Sequence, residues 1–443
     1  MRRLYEPMAY GPEPIAHSFW PTTVEAVPEH SPVEGAHEVD IAIIGAGFTG
    51  LNAALALAAA GCNVVVLEAE QPGWGASGRN GGFCCLGGAK AGPSQLLKRF
   101  GEADTQAYYH AERAAVDHVA ALLDRHEIEA DTHSDGETLL AFRPKDIAVL
   151  RDLSVEMRRL QQVECELITQ ETLAERGFAS PEFHGALTTP IGFALNPMKY
   201  VLGLAGAVTQ AGGRIFGGSP VTRIGSENGR HVLTTPGGSV KAKTLIVATN
   251  GYSADDLPGW LAGRYLPVQS NVLVTRPLSE EELTAQGWTS HQMCYDTRHL
   301  LHYFRLMPDR RMLFGLRGAM KTTPRAHAQT RAIARADFER IFPEWRHVET
   351  PHFWSGLLAL ARDLVPYAGP VEGMDNAWTA MCYHGNGVAM GSYAGRLLAA
   401  QIIGEGPATP APLRSAPRRF ELGRWRRAVL PFAYTFYGLQ DRG

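Results

Sequence analysis

Asp40-Ile41-Ala42-Ile43-Ile44-Gly45-Ala46-Gly47-Phe48-Thr49-Gly50 begins a segment that ends at Val64-Val65-Val66-Leu67-Glu68. An acidic residue and an apolar run come first, then a G-x-G-x-x-G turn. A small-residue stretch with Ala54 and Ala58 follows, broken at Gly61, and then a β-branched run. The order reads as strand, tight turn, helix, strand. Gly45 permits the sharp turn, Gly47 lets backbone approach a pyrophosphate, and Gly50 lets the helix lie close on the strand. The N–H groups of Ala46, Phe48 and Thr49 lie at or beside the helix start, where unpaired N–H groups and the helix dipole favour phosphate. Glu68 ends the second strand, where a carboxylate can accept hydrogen bonds from ribose hydroxyls. Residues 41 to 67 carry no charge and are long enough to cross a bilayer. The glycines bounding the helical part and the β-branched Val64–Val66 run argue against one continuous spanning helix.

The next stretch, Gly73-Trp74-Gly75-Ala76-Ser77-Gly78-Arg79-Asn80-Gly81-Gly82, holds five glycines in ten residues. Such backbone can wrap a ligand closely, and Ser77 and Arg79 can donate to phosphate oxygens. A plain surface linker would have no need of Trp, Arg and Asn among its glycines. With Glu68-Ala69 after the first turn, these segments resemble the flavin-dependent amine and amino-acid oxidases of the D-amino-acid oxidase superfamily, closest to its gamma-glutamylputrescine oxidase branch. That resemblance implies FAD rather than NAD. It also implies a fold: α/β (α+β overall), a Rossmann-like FAD-binding domain with an inserted antiparallel-sheet substrate domain.

Length and composition agree with a globular enzyme. The chain has 443 residues, 45% hydrophobic and 20% charged, enough for two or three domains. A net charge of −3 gives no general attraction to nucleic acid or anionic membrane. Six cysteines show no disulfide framework and no metal-ligand spacing. The basic Met1-Arg2-Arg3 start lacks an apolar stretch behind it, so a signal peptide is not expected. A cytoplasmic protein without a membrane span, nucleic-acid partner or metal is the expectation.

Residues 1–36 read as an arm lying on the body. The expected FAD-binding domain is discontinuous, 37–95, 195–262 and 352–405. The substrate domain takes 96–194 and 263–351, and 406–443 form a tail rich in arginine and aromatic residues. Helical spacing marks 94–127 and 146–161. Asn196 is placed to cap a helix that begins at Pro197. Arg214–Phe216, Val221–Ile224 and Thr244–Val247 read as strands, with Val232-Leu233 and Val240–Ala242 as a hairpin. In the family, backbone at Val221 holds the adenine. Ala248, Thr249, Gly251 and Tyr252 match a flavin contact at the end of a buried strand. A third glycine-rich turn, Gly385-Asn386-Gly387-Val388-Ala389, leads into a helix. In the family that helix start lies near the pyrimidine edge of the flavin, where a positive helix end would stabilise the negative charge of the reduced ring. The resemblance extends the cofactor set to Gly81, Gly82 and Phe83.

Alternation along 299–306 sets Tyr303 and Arg305 on one strand face, matching a Y-[YF]-R pattern. Arg305 can hold a substrate carboxylate or pair with an acid of the fold. His384, Tyr303, Arg305 and Trp354 are the pocket candidates, each with an alternative reading as a packing residue. His384 stands two positions from the histidine of the family's S-G-H-G. The implied reaction is hydride transfer from the carbon beside a neutral amine to flavin N5. The resulting imine hydrolyses, and O2 is reduced to hydrogen peroxide. The alternative is a dehydrogenase of the same fold that passes electrons to a quinone or carrier. Residues 295–381 contain no cysteine for covalent attachment, so noncovalent FAD is expected. Residues 244–320 contain no lysine, although sarcosine-oxidase relatives use one on this sheet to promote reaction with oxygen. Phe83-Cys84-Cys85 replaces more polar residues of the branch, and a buried, inert thiol pair is expected there.

Overall fold

The computed structural model describes residues 1–441. Two eight-stranded sheets organise them. In the first, Gly35–Ile44 lies between Gly238–Val247 and Val64–Leu67, parallel to both. Arg214–Phe216 extends the sheet on one side, and Ala377–Met381 with Tyr367–Pro370 extends it on the other. Successive connections leave the first strand in opposite directions. This makes the switch point at its C-terminal end, outside which a crevice opens. The strands there are near-continuous Val, Ile, Leu and Ala, fully buried as a sheet covered on both faces requires.

The helix Phe48–Ala59 packs on the helix Ala389–Ile403, and both share a core with Pro197–Gln210. The close approach depends on glycine: a Cβ on Gly395 would meet the Thr49 carbonyl oxygen at 2.2 Å. Asn196 caps Pro197–Gln210 by accepting from the Met198 and Lys199 N–H groups.

The second sheet runs His352–Leu360, Leu266–Val274, Met312–Arg317, His302–Leu306, Met293–Asp296, Glu137–Leu140, Gly185–Thr189, Glu166–Thr169. Its pairs are antiparallel except Met293–Asp296 with Glu137–Leu140. One face packs on an aromatic core of Phe183, Trp288, Phe304, Phe314, Phe338, Phe342 and Trp345. The other face roofs the crevice of the first sheet.

Several sequence boundaries shift. The strand His352–Leu360 was expected with the nucleotide unit, but it pairs along its length with Leu266–Val274 in the second sheet. Helix Pro93–Arg125 was expected with the substrate unit. Its buried face, with Tyr108, Ala115 and Val119, instead joins the core that contains Leu397 and Leu398. Residues 238–247 form one long strand rather than a hairpin arm and a separate strand. Val221 precedes its strand, which starts at Arg223.

The two ends of the chain are tied together. Arg426 is buried against Asp255, at 2.6 and 3.0 Å. Its neighbour Arg427 lies over the Tyr5 ring and donates to the Leu4 carbonyl at 2.6 Å and to that of Met320. Met1, Arg3 and Tyr10 of this arm line the crevice. Hydrogen bonds from a charged donor contribute about 1.5–3 kcal/mol. Arg427→Ala is therefore expected to speed proteolytic cleavage within residues 1–10 by roughly tenfold. Time-resolved mass spectrometry of limited digests measures this, and an unchanged rate would show that Arg427 does not hold the arm.

Candidate cofactor and substrate site

A cavity of about 390 Å³ runs from the switch point to the underside of the second sheet. At its inner end Gly45 has φ +107°, and a Cβ there would stand 2.8 Å from the Ala248 oxygen. Gly47 caps Phe48–Ala59 without any side-chain partner. The Phe48 N–H donates to Ser77 Oγ at 2.9 Å, and the Ala46 N–H to Glu68 Oε2 at 2.7 Å. Burial pushes the Glu68 carboxyl up, against the pull of those backbone donors. Thr49 Oγ1 donates to the Gly391 carbonyl and accepts from the Tyr383 hydroxyl, at 2.9 and 2.8 Å, fixing the turn to the third glycine segment.

The 73–82 segment is held by its own side chains and by two indoles. Arg79 donates to the Trp74 and Ser355 carbonyls at 2.6 and 3.2 Å and lies 4.1 Å from the Trp74 ring. Its Nη2 is buried without a partner. Asn80 donates to the Ala76 and Ser77 carbonyls and accepts from the Gly82 N–H. Trp20 Nε1 donates to the Asn80 carbonyl and Trp354 Nε1 to that of Arg79.

The sequence-predicted residues divide into two groups. Gly45, Ala46, Gly47, Phe48, Thr49, Glu68, Ala69, Gly75, Ala76, Ser77, Arg79, Asn80, Gly81, Phe83, Val221, Ala248, Thr249, Tyr252, Gly385, Asn386, Gly387 and Val388 all line the one cavity. Gly50, Gly82 and Gly251 do not. A Cβ on them would lie 1.9, 1.9 and 2.7 Å from the carbonyl oxygens of Gly45, Leu195 and Leu357. They are spacing glycines. Ala389 is buried as the first residue of its helix.

Of the four pocket candidates, Tyr303 and His384 line the cavity, and Trp354 and Arg305 do not. Trp354 is fully buried behind the loop, and its N–H is taken by Arg79. Arg305 is buried too, and donates to the Gly81 and Leu195 carbonyls and to His133 Nε2 at 2.8–2.9 Å. It clamps backbone and reaches neither a substrate nor an acid; burial alone pulls it down to about 9. In His384, Nε2 accepts from the Ala361 N–H at 3.0 Å, so Nδ1 carries the proton donated to the Gly88 carbonyl at 2.6 Å. Both ring nitrogens are occupied. Burial holds the imidazole neutral, pulled down to about 3. Tyr303 lines the cavity as His384 does: its ring meets Phe83 edge-on at 5.5 Å, and its hydroxyl pairs with Ser270 at 3.0 Å.

The outer half of the cavity holds groups that sequence reading missed: Lys90, Glu137, Tyr295 and Arg317. Arg317 donates to the His384 carbonyl at 3.2 Å. The Lys90 side chain opens into the cavity. Burial, and then Arg317, pull its ammonium down to about 8. Burial pushes Glu137, and Glu112 behind it, up to about 7. Cys84 and Cys85 are free buried thiols, pushed far up by burial, as their sequence setting suggested.

The inner half suits a dinucleotide. It offers a helix N-terminus whose capping residue is a glycine, a glycine cradle that side chains would fill, an unpartnered guanidinium nitrogen and a carboxylate beyond the turn. Gly45–Thr49, Ser77 and Arg79 could hold its pyrophosphate and Glu68 its ribose. The 385–388 turn could meet the flavin ring.

Comparison with known proteins agrees. Residues 40–401 match the family described as "DAO: FAD dependent oxidoreductase". The chain is 30% identical over 407 residues to gamma-glutamylputrescine oxidoreductase of Escherichia coli (strain K12), covering 91% of this chain and 93% of that protein. It is 30% identical over 378 residues to "Probable oxidoreductase OrdL" of Haemophilus influenzae, covering 84% and 85%. Among solved structures, glycine oxidase from Geobacillus kaustophilus shares the fold with a TM-score of 0.72 at 20% identity, over 87% of this chain and 100% of that one. A glycine cradle at the switch point, a roofing second sheet and a family match across most of the chain lead to one assignment: this protein belongs to the DAO family of FAD-dependent oxidoreductases.

Proposed function

We propose that the protein oxidises a C–N bond of a small amine or amino acid, with noncovalently held FAD and with O2 as the final electron acceptor. The chemistry FAD supplies when bound is two-electron oxidation of the carbon beside nitrogen, with reoxidation by O2 giving hydrogen peroxide. The observation that carries this reading is the second half of the cavity. The space directly beyond the nucleotide cradle is lined by Tyr303, Tyr295 and Leu301 together with Lys90, Arg317 and Glu137.

Each group has a task. The aromatic walls exclude water and orient the substrate chain. Arg317 and Lys90 have no carboxylate within ion-pair distance among the described residues, and supply positive charge for an anionic group of the substrate. Lys90 also supplies a cation near the reacting centre although residues 244–320 contain no lysine, which favours O2 over a carrier. Among the described residues Cys85 is the only cysteine lining the cavity, and its thiol is buried and held protonated; this supports noncovalent binding. The first sheet serves the nucleotide and the second the substrate. No helix among the described residues is long and apolar enough to cross a membrane. A cytoplasmic place belongs to the same proposal.

The test is anaerobic bleaching of the bound flavin by a panel of polyamines, gamma-glutamylputrescine, N-methyl amino acids and D-amino acids, followed by admission of air. Bleaching by an amine and stoichiometric peroxide are the expected results. Bleaching without peroxide would replace O2 by another acceptor, and a flavin that no amine reduces would remove the reading.

A further inference from the structure

An amine at neutral pH arrives as an ammonium, with an ordinary pKa near 10.4, and its nitrogen lone pair is unavailable until a proton leaves. We infer that Glu137 accepts that proton. The inference rests on the amine-oxidising reading above and assigns its first chemical step to a side chain.

The placement supports it. Glu137 begins the strand Glu137–Leu140, in register with Thr189 on one side and Met293 on the other. Its side chain is turned to the cavity but shielded from bulk water. The other carboxylates that line the cavity, Glu68 and Glu70, sit with the nucleotide cradle, so among the described residues Glu137 is alone in the outer half. Ion pairs satisfy many other acids of this chain, yet no guanidinium or ammonium lies within ion-pair distance of Glu137 among the described residues. Retaining a buried, unpaired carboxyl is costly unless a ligand completes it. A substrate ammonium is the group that would.

The surroundings tune the step. The Cys85 thiol, which accepts from Asn386 Nδ2 at 3.4 Å, lies on one side, Lys90 approaches from the loop before the long helix, Glu112 from that helix, Tyr295 from the neighbouring strand and Cys165 from beyond it. Burial raises the carboxyl to about 7, and Lys90 and the thiol draw it partly back. An acceptor poised near the working pH is the efficient one. Lys90 and Arg317, both cationic, disfavour a third positive charge in the cavity and so push the proton off nitrogen. In the transfer one N–H bond of the ammonium breaks and an O–H bond forms on Glu137. The electron pair stays on nitrogen, giving a neutral amine and a neutral carboxylic acid. No oxidant takes part.

The test is anaerobic reduction of the bound flavin by gamma-glutamylputrescine, followed from about pH 6 to 10.5 in wild type, Glu137→Gln and Glu137→Asp. In wild type the second-order rate constant falls as pH drops through about 7. In Glu137→Gln only amine already neutral in solution reacts. Its rate constant is expected to rise about tenfold per pH unit up to the amine's own pKa, with a deficit approaching 10³ at pH 7 that closes near pH 10. A β-fluorinated amine of lower pKa should shift the Gln variant's profile and leave that of wild type in place. Glu137→Asp, which keeps a carboxylate, restores part of the neutral-pH rate. A Gln profile parallel to wild type, or a loss equal at every pH, overturns the inference. Wild-type flavin that no amine bleaches instead overturns the amine reading beneath it.

Discussion

Gly50→Ala is expected to yield protein with less than about a tenth of the wild-type flavin content and a lowered melting temperature, even when purified in excess FAD. The built Cβ would stand 1.9 Å from the Gly45 carbonyl oxygen, 3.1 Å from its carbon and 3.3 Å from Ile43 Cγ2. The first two are backbone atoms of the same turn that forms the cradle, so neither can rotate away. Relief requires the helix to lift from the strand. That movement carries the N–H groups of Phe48 and Thr49 off the crevice and separates the helix from Ala389–Ile403. Overpacking of this kind costs about 1–3 kcal/mol when side chains can adjust, and more when backbone must move. Gly61→Ala is the control. Gly61 has φ +83° and nothing within 4 Å of its Cβ position, so substitution costs about 1–2 kcal/mol of backbone strain and spares flavin binding. The ratio of absorbance at 450 and 280 nm and a thermal melt decide the matter. A fully yellow Gly50→Ala protein would show that the turn yields without loss of the site.

That contrast also separates what sequence could and could not reveal. The three glycine segments were legible because each glycine answers a local demand, a turn, a close approach or a helix seated on a strand. Local demands leave local patterns. The cap at Asn196 and the buried strands on either side of the first turn were legible for the same reason. His384, Arg305 and Trp354 sit in matching segments, but their side chains turn to backbone carbonyls and N–H groups far along the chain: His384 to Gly88 and Ala361, Arg305 to Gly81 and Leu195, Trp354 to Arg79. Segment resemblance fixed their neighbourhood and left the direction of each side chain open. Lys90, Glu137 and Arg317 carried no signal at all. They come from a loop and two strands spread over about half of the chain, and only the folding of that loop under the second sheet sets them in one cavity. The helix Pro93–Arg125 was assigned to the wrong layer because an amphipathic pattern says that one face is buried, not against what.

A second large effect is expected far from the cavity, at the buried charge cluster of the second sheet. Asp296 accepts from His302 Nδ1 at 2.8 Å and from Arg298 Nη1 at 2.6 Å, and His302 Nε2 donates to Asp337 at 3.2 Å. Arg298 continues to Glu182 at 2.7 Å, and the imidazole stacks on Phe314. With a carboxylate at each ring nitrogen, both nitrogens are donors and the ring is protonated. Burial by itself would lower the imidazole, but Asp296 and then Asp337 outweigh it and hold it at about 9. The folded value lies above the unfolded one of about 6.5. The stabilisation is therefore fully present below about pH 6.5 and is lost as pH rises through about 9. The same cluster holds Asp296 and Asp337 low, so their contribution persists from neutral pH down to the acidic range. Asp296→Asn removes the main counter-charge and leaves Arg298 and His302 short of a partner inside the sheet. Breaking a buried pair from one side costs about 3–5 kcal/mol. Chemical unfolding at pH 7 should show that loss. Between pH 7 and 9.5 wild type should lose a few kcal/mol, while the variant, whose imidazole is no longer held charged, stays nearly flat. Two curves falling in parallel across that interval would mean that His302 is neutral in the folded protein.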